Sequence, residues 1–286
     1  MTVLREQARG KLNLTLDVCG RREDGYHELE TVMAQVGLCD ELTLTLDTGE
    51  PWSVRCSDPA LPQNEGNLCW KAARLYLDRA GIEPDGLRIE IEKRVPAQAG
   101  MAGGSSDAAA VLRALNRHYR ALDEAELAAL ALRAGSDVPF CLFGGVALAR
   151  GRGERLTRLP ALPPGALAVL VQPEFSVSTP ALFAELDRRG CALHPRSDAL
   201  LEALQEGSLP RLGAALGNSF APLAEELFPV VGTLKRRLRA LGALGAELTG
   251  TGSVVFGLFQ DPAAAEAAKD ALAKEYPSVR LTDFPA

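Results

Sequence analysis

The sequence predicts two domains in which strands and helices are interspersed, and three observations lead to this prediction. The chain has 286 residues, 47% of them hydrophobic, which allows one large core or two modest ones. Strand and helix patterns alternate along the whole length without internal repeats or low complexity. Four prolines from Leu159 to Pro173 mark a change in composition. We therefore predict one domain over residues 1–155 and a second over residues 156–286.

Alternating leucines predict the first strands. In "LNLTLDV" (12–18) leucines alternate with polar residues, and "ELTLTLD" (41–47) repeats the pattern. Between them, "GRREDGYHELETVMAQVG" (20–37) begins with charged residues and an Asp-Gly pair, so we expect an exposed loop there. A third alternation, "LRIEIE" (87–92), predicts a strand just before a glycine-rich stretch.

Helical spacing follows the glycine-rich stretch. Apolar residues recur at steps of three and four from Ala108 to Leu122, which predicts a helix, and "DEAELAALALRAG" predicts a second helix that ends at Gly135. "GSDVPFCLFGGVALARGRGE" then predicts a short helical turn and a strand. In the second half we expect a strand at 168–171, several helices over 180–241, a strand at 253–259, a helix over 262–274 and a last strand near Val279.

Charge and composition exclude several classes of protein. The net charge is −6 and the basic residues are scattered, so we expect no nucleic-acid partner. The apolar runs are far shorter than the roughly 20 residues of a membrane span, and the first residues lack an apolar signal core, so we expect a cytoplasmic protein. The six cysteines show no C-x-x-C spacing and are expected to be buried free thiols. The three histidines are far apart, so we expect no protein-held transition metal.

The stretch "VPAQAGMAGGSSDAAAVLRALN" (95–116) is suited to binding phosphate. Its glycines allow a ligand to approach the backbone, and the first N–H groups of the following helix, at the positive end of its dipole, can bind an anion. A glycine-rich turn with Ser105 as an N-cap is an equally good explanation at this point. The stretch lacks the lysine of a Walker A loop and does not fit the G-x-G-x-x-G dinucleotide fingerprint.

The segment from Pro96 to Ser106 resembles the P-x-x-x-G-L-G-[GS]-[GS] motif of the GHMP kinases. Met101 stands where the family has leucine, and Ala102 where it more often has glycine. "RGKLNLTLDVCGRREDGYHELETVM" (9–33) resembles the N-terminal motif of the family, and "ELTGTGSVVFGLF" (247–259) resembles its C-terminal glycine motif, which supports the phosphate loop. The resemblance implies an α+β fold of two domains with the active site in the cleft between them.

The same resemblance implies the nucleotide site. The phosphate loop would consist of Pro96, Ala97, Gln98, Ala99, Gly100, Met101, Ala102, Gly103, Gly104, Ser105 and Ser106. Asn67 and Leu68 resemble a segment that lines the adenine pocket, although Asn67 is equally suited to cap the helix that follows it. Mg²⁺ would accompany ATP and be held mainly by the nucleotide phosphates. For Asp107, stabilisation of the helix dipole is a sufficient explanation.

The resemblance also implies the chemistry. K-L-N-L, D-G-Y-H, G-x-D-V-P-F and T-G-T-G-S are similar to motifs of members that phosphorylate a cytidine diphosphate-linked small molecule. Asp137 would be the general base, and Lys11 would lie beside it and hold the acceptor oxygen. From spacing alone, Asp137 is equally an N-cap and Lys11 a solvated edge residue.

The acceptor pocket follows from the same motifs. Tyr26 would stack on the cytosine and His27 would read its polar edge, although both residues could simply pack the loop against the protein. Asn13, on the same strand face as Lys11, would contact the acceptor. The second domain would close the cytidine pocket with Thr179, Pro180 and Phe183.

Three alternatives stay open. Another GHMP kinase, of the homoserine or mevalonate type, would not need Tyr26 and His27. A non-catalytic ligand sensor on the same fold could dispense with Lys11 or Asp137. A dinucleotide-binding oxidoreductase is disfavoured by the failed fingerprint. The sequence leaves the oligomeric state unknown.

Overall fold

The computed structural model describes residues 1–175, 177–191 and 193–285 and confirms the α+β class. The strands are β1 (Thr2–Arg21), β2 (His27–Leu46), β3 (Ser53–Cys56), β4 (Leu87–Glu92), β5 (Val146–Gly151), β6 (Arg155–Arg158), β7 (Leu167–Gln172), β8 (Gly217–Asn218), β9 (Gly245–Leu248), β10 (Val255–Phe259) and β11 (Ser278–Asp283). The helices are α1 (Leu68–Ala80), α2 (Gly103–Tyr119), α3 (Glu124–Ala134), α4 (Val138–Phe143), α5 (Thr179–Arg189), α6 (Asp198–Glu206), α7 (Leu209–Ala214), α8 (Ala221–Leu227), α9 (Val230–Ala240) and α10 (Pro262–Leu272).

The chain forms two compact units, each assembled from separate stretches of sequence. The first unit comprises residues 1–10, 38–97 and 102–144, and the second comprises residues 11–37, 98–101 and the chain from residue 145 onward. Strands β1 and β2 therefore contribute residues to both units. The division at residue 155 stays a prediction.

The first unit combines helices α1–α4 with short strand pairings. Strand β3 pairs in parallel with β4, and β4 pairs antiparallel with the second half of β2. The alternating leucines of β2 and isoleucines of β4 are buried, as their spacing predicts. Helix α2 buries Leu112 and Leu115, and α3 begins with a capping box formed by Asp123 and Glu126. Helix α3 therefore matches the sequence prediction closely, whereas α2 begins five residues before Ala108 and ends three residues before Leu122.

The second unit contains an antiparallel sheet in the order β11-β7-β10-β9. Helices α9 and α10 pack against this sheet, and the shared core contains leucines, valines and the rings of Phe220 and Phe259. In the same unit, β2 pairs with β5, β5 with β6, and β1 in parallel with β8. The strands predicted near residues 168, 255 and 279 and the helix that begins at Pro262 are confirmed.

The exposed loop predicted for residues 20–37 is wrong over most of its length. Strand β1 continues to Arg21 and β2 already begins at His27, so only residues 22–26 form the turn. The reason is the pairing of Leu29–Ala34 with Gly151–Val146 of β5, which satisfies the backbone of this stretch. Strands β3, β6, β8 and β9 were not predicted, because each has only two to four residues.

Two expectations drawn from composition can also be compared with the structure. The cysteines form no disulfide bond within the described residues, but only Cys69 and Cys141 are buried, so the expectation of mostly buried thiols is wrong. Cys19 is exposed because it lies near the end of β1, just before the turn. No helix in the described part of the chain is both long and apolar enough to span a membrane.

Candidate active site

Lys11 and Asn13 lie on one face of β1, as the alternation of a strand requires. Both side chains are buried, with 3% and 4% of their surface exposed. The Lys11 ammonium donates to Asn13 Oδ1 at 2.5 Å and to the Gly100 carbonyl oxygen at 2.7 Å. The alternative of a solvated edge lysine is therefore wrong. An ammonium group carries three N–H donors, and two of them have partners among the residues that the structure describes, which leaves one donor of Lys11 for a ligand.

Thr249, from the C-terminal glycine motif, lies within hydrogen-bond distance of both Asn13 and Gly100 and so completes a network with Lys11. Its hydroxyl accepts the backbone N–H of Asn13 at 3.0 Å and lies 3.3 Å from both Asn13 Oδ1 and the Gly100 carbonyl oxygen. The Asn13 side chain also donates to Thr31 Oγ1 at 2.9 Å. Asn13, held at its backbone N–H and at its side chain, thus orients Lys11. Its contact with the acceptor stays a prediction.

Residues 98–101 of the glycine loop lie against the C-terminal glycine motif. Gly100 has φ +79°, and a Cβ atom there would lie 2.1 Å from the Thr249 carbonyl oxygen, so only glycine fits. A Cβ atom at Gly250 would lie 3.1 Å from Gly100 Cα, and the Val254 N–H donates to the Ala99 carbonyl oxygen at 3.2 Å. These contacts are the support that the resemblance implies for the loop.

The second part of the loop forms the first turn of α2. The N-cap residue is Ala102, in the left-handed conformation with φ +56°, and Ser105 lies inside the helix. The alternative of Ser105 as the N-cap is therefore wrong. The Ser106 hydroxyl donates to the Gly103 carbonyl oxygen at 2.8 Å, so its proton is used within the turn. The first N–H groups of α2 have no partner inside the helix, which suits an anion.

Five further residues of the predicted nucleotide site lie outside this turn in the sequence, and a Cβ atom at Gly104 would lie 3.5 Å from the Leu68 side chain. Pro96 and Ala97 belong to the first unit, and Gln98, with φ +51°, begins the stretch that belongs to the second. Asn67 caps α1, because its Oδ1 accepts the Cys69 N–H at 2.9 Å. The capping alternative for Asn67 is thus confirmed. Its place in an adenine pocket, together with Leu68, stays a prediction.

Asp137 precedes α4 and occupies the N-cap position, but its side chain caps nothing. The residue has helical φ and ψ, and its carboxylate accepts no capping hydrogen bond. In the part of the chain that the structure describes, this half-buried carboxylate has no hydrogen-bond or ion-pair partner. It is therefore available to accept a proton from a ligand. Lys11 belongs to the second unit and Asp137 to the first, so their pairing stays a prediction.

His27 and Phe183, which the sequence places 156 residues apart, are in contact in the second unit. Their rings stack with centroids 4.4 Å apart, and Phe183 meets Phe220 edge-on at 4.8 Å. The His27 ring places Nε2 2.7 Å from Asp187 Oδ1. A carboxylate accepts, so Nε2 carries the proton and Nδ1 is the nitrogen left for a ligand. Sequence analysis missed Asp187, since nothing in the spacing of α5 distinguishes it from other exposed acidic residues.

Tyr26 and the remaining predicted acceptor residues occupy more exposed positions. Tyr26 is 50% exposed, and the guanidinium of Arg152 lies 3.5 Å from its ring centroid. One face of the ring is covered by a cation, and the ring does not join a core. The Thr179 hydroxyl lies 2.9 Å from that of Thr251 in the C-terminal glycine motif, and Pro180 is in the first turn of α5.

Three buried charged residues in the first unit form a cluster that the sequence did not predict. Lys93 lies between Asp40 Oδ2 at 2.5 Å and Asp107 Oδ2 at 2.7 Å. We call these three residues the buried triad. Asp107 is 3% exposed and pairs with Lys93, so stabilisation of the helix dipole is not a sufficient explanation of this residue. Burial, opposed by Lys93 and reinforced by the charge of Asp40, raises the pKa of Asp107 to about 7.

Comparisons with known proteins agree with these motifs. The family description "GHMP kinases N terminal domain" matches residues 67–145, and "GHMP kinases C terminal" matches residues 200–278. A 4-diphosphocytidyl-2-C-methyl-D-erythritol kinase from Alkaliphilus metalliredigens is 37% identical over 276 residues, which cover 96% of this chain and 94% of that protein. A kinase of the same name from Pelotomaculum thermopropionicum is 42% identical over 263 residues, or 91% of this chain and 90% of that protein. A crystal structure of 4-(cytidine 5'-diphospho)-2C-methyl-D-erythritol kinase is 39% identical, with a TM-score of 0.83, and the match covers 99% of this chain and all of that one.

Proposed function

The chain belongs to the GHMP kinase family, and we propose that it transfers the γ-phosphate of ATP to the 2-hydroxyl of 4-diphosphocytidyl-2-C-methyl-D-erythritol. This reaction is a step of the non-mevalonate route to isoprenoids. The observation that carries the proposal is the identity of 37–42% over about nine tenths of the chain to kinases of that name. The arrangement of Lys11, Asn13 and Gly100 supports it.

The start of α2 fits the phosphates of ATP. The free N–H groups of its first turn and the glycines before it provide donors and space for an anion. Mg²⁺, when bound, would neutralise charge on the β- and γ-phosphates and would be held mainly by those phosphates and by water. The residues of the protein then have two tasks, which are to hold the nucleotide and to orient the acceptor hydroxyl.

Lys11 and Asp137 are the residues to which we assign the chemistry. The third N–H of Lys11 would donate to the acceptor oxygen, since its other two donors are fixed by Asn13 and Gly100. Asp137 would accept the proton that the 2-hydroxyl loses as its oxygen bonds to the γ-phosphorus and the bond to ADP breaks. Its unpartnered carboxylate supports that role.

The cytidine end of the acceptor would be held in the second unit. We assign the polar edge of the cytosine to His27, whose Nδ1 is left unoccupied by the contact with Asp187. Tyr26 would stack on the base, and Thr179, Pro180 and Phe183 would close the pocket. The stacking of His27 on Phe183 supports a shared pocket for these residues.

Release of ADP in the presence of Mg·ATP tests this proposal. We expect turnover with the diphosphocytidyl acceptor and none with mevalonate or homoserine. Asp137→Asn should lower kcat by at least ~100-fold, because the amide cannot take a proton, while the exposed Asp78→Asn should leave the rate unchanged.

Other outcomes would favour the alternatives. Turnover with mevalonate or homoserine alone would keep the kinase and reject the cytidine pocket. Binding of ATP without turnover of any acceptor would favour a ligand sensor. Full activity of Asp137→Asn would reject Asp137 as the base.

A further inference from the structure

The buried triad of Asp40, Lys93 and Asp107 joins three separate segments of the first unit. Asp40 lies on β2, Lys93 follows β4 directly, and Asp107 lies in the second turn of α2. The side chains are 0–6% exposed. Burial of three ionisable groups in one place is costly unless they are paired, so the triad is a specific feature of this unit.

The triad lies directly beneath the first turn of α2. A Cβ atom at Gly103, the first residue of the helix, would lie 3.3 Å from Lys93 Nζ. Asp40 Oδ1 accepts the backbone N–H groups of Arg94 and Val95, at 2.5 and 2.8 Å. The triad therefore fixes both the chain that enters the glycine loop and the helix that leaves it.

The charges of the triad do not balance. Lys93 supplies one positive charge, whereas Asp40 and Asp107 supply two negative charges when both are ionised. Asp107 Oδ1 is buried without a hydrogen-bond partner among the described residues, which disfavours the ionised form. With the pKa of Asp107 at about 7, this carboxyl exchanges its proton near neutral pH.

Outside the buried triad, two thiols and two helices lie near Asp107. Cys69 on α1 and Cys56 on β3 interact with Asp107, and burial raises the pKa of both thiols, so both stay protonated at neutral pH. Helices α3 and α4 also pack on α2. Across residues 1–175, 177–191 and 193–285, neither helix provides a charged side chain within ion-pair or hydrogen-bond distance of Asp107. Within the triad, burial and the charge of Asp40 raise the pKa of the Asp107 carboxyl to about 7.

We propose that the buried triad is the electrostatic support of the nucleotide site, in which Lys93 places positive charge beneath the phosphate-binding turn and Asp107 controls how much of that charge acts on the phosphates. Asp107 is thus a positioning residue that acts through Lys93 and the first turn of α2. The inference rests on the proposed function, because it assumes that this turn binds the phosphates of ATP.

The protonation state of Asp107 sets the net charge beneath the phosphate-binding turn. An ionised Asp107 neutralises Lys93, leaves Asp40 uncompensated and repels an anion above it, whereas a protonated Asp107 leaves Lys93 paired with Asp40 alone. Nucleotide binding must then favour the protonated form, and by linkage it must take up protons near pH 7. A purely structural role for the triad predicts no such proton uptake.

Affinity for Mg·ADP, measured by calorimetry in wild-type protein and in Asp107→Asn, tests the inference. The amide is uncharged at every pH, so the ratio of the two dissociation constants cancels the titration of the nucleotide itself. We expect equal affinities at about pH 6 and about fivefold weaker binding by the wild type at about pH 8.5. In buffers of different ionisation enthalpy, the wild type should take up more protons than the variant near pH 7. Asp78→Asn, an exposed change of the same kind on α1, should behave as wild type.

Two results would overturn the inference, and they can be told apart. If wild type and Asp107→Asn bind Mg·ADP with the same pH dependence and proton uptake, the triad does not act on the phosphates, although the proposed kinase stands. If the folded wild type binds no Mg·ADP at any pH, the proposed function and the inference fail together. Thermal unfolding of each variant shows whether it is folded at the pH of the measurement.

Discussion

Replacing Thr249 by valine removes one hydroxyl group from the centre of the network of Lys11, Asn13 and Gly100 and leaves the side-chain volume nearly unchanged. The loss leaves the buried backbone N–H of Asn13 without its partner at 3.0 Å. An unsatisfied buried donor costs about 1–3 kcal/mol. A loss of about 2 kcal/mol corresponds to a fall in Tm of roughly 3 °C for a chain of 286 residues, because its entropy of unfolding is about 0.6 kcal/mol/K.

Activity should fall as well, because the orientation of Asn13 sets that of Lys11. We expect kcat/KM for the acceptor to fall roughly tenfold, which corresponds to about 1.4 kcal/mol of lost transition-state stabilisation. Thr249→Ser is the matched control, since it keeps the hydroxyl and deletes one buried methyl group at a cost of about 1 kcal/mol. Thermal unfolding and ADP release measure both effects. The reasoning is refuted if valine leaves Tm and kcat/KM unchanged, or if serine lowers kcat/KM as much as valine does.

Three further predictions concern other parts of the site. Asp187→Asn should raise KM for the acceptor about tenfold and leave KM for ATP unchanged, because the amide no longer fixes the tautomer of His27; an equal rise in both constants would show a general loss of structure. Ala102→Gly should raise Tm, because a left-handed non-glycine residue is strained by roughly 1 kcal/mol, and a lower Tm would contradict this account. The pKa of Asp107 rises from 3.8 to about 7 on folding, so the wild type should lose stability relative to Asp107→Asn as the pH rises through that interval. A difference in Tm between the two proteins that is the same at the low-pH and the high-pH end of the interval would exclude this titration.

Local signals in the sequence predicted the elements whose stabilising contacts are also local. Helix α3 is an example, because both residues of its capping box and Gly135, its C-cap, lie within or directly beside the helix. The first half of β2 was missed for the opposite reason. Its partner, β5, follows more than a hundred residues later, and the charged residues around Asp24 dominate the local pattern.

The same distinction holds for the candidate site. The placement of Lys11 and Asn13 on one face follows from the two-residue period of a strand. Their burial and their link to Thr249 could not be predicted, because the partner lies 236 residues away along the chain. The buried triad could not be predicted for the same reason. The helix dipole explains an acidic residue near the start of a helix, and only the structure shows that Lys93 lies beside Asp107.

The measurement that tests the central claim most directly is the phosphorus-31 NMR spectrum of the product formed from Mg·ATP and 4-diphosphocytidyl-2-C-methyl-D-erythritol. Carbon 2 of the methylerythritol carries a methyl group and no hydrogen, so a phosphate on its oxygen has no vicinal proton to couple with. We predict one new phosphomonoester resonance that stays a singlet without proton decoupling, in an amount equal to the ADP released. A new resonance split by vicinal protons would place the phosphate on another hydroxyl, and ADP release without a new phosphomonoester would contradict the transfer itself.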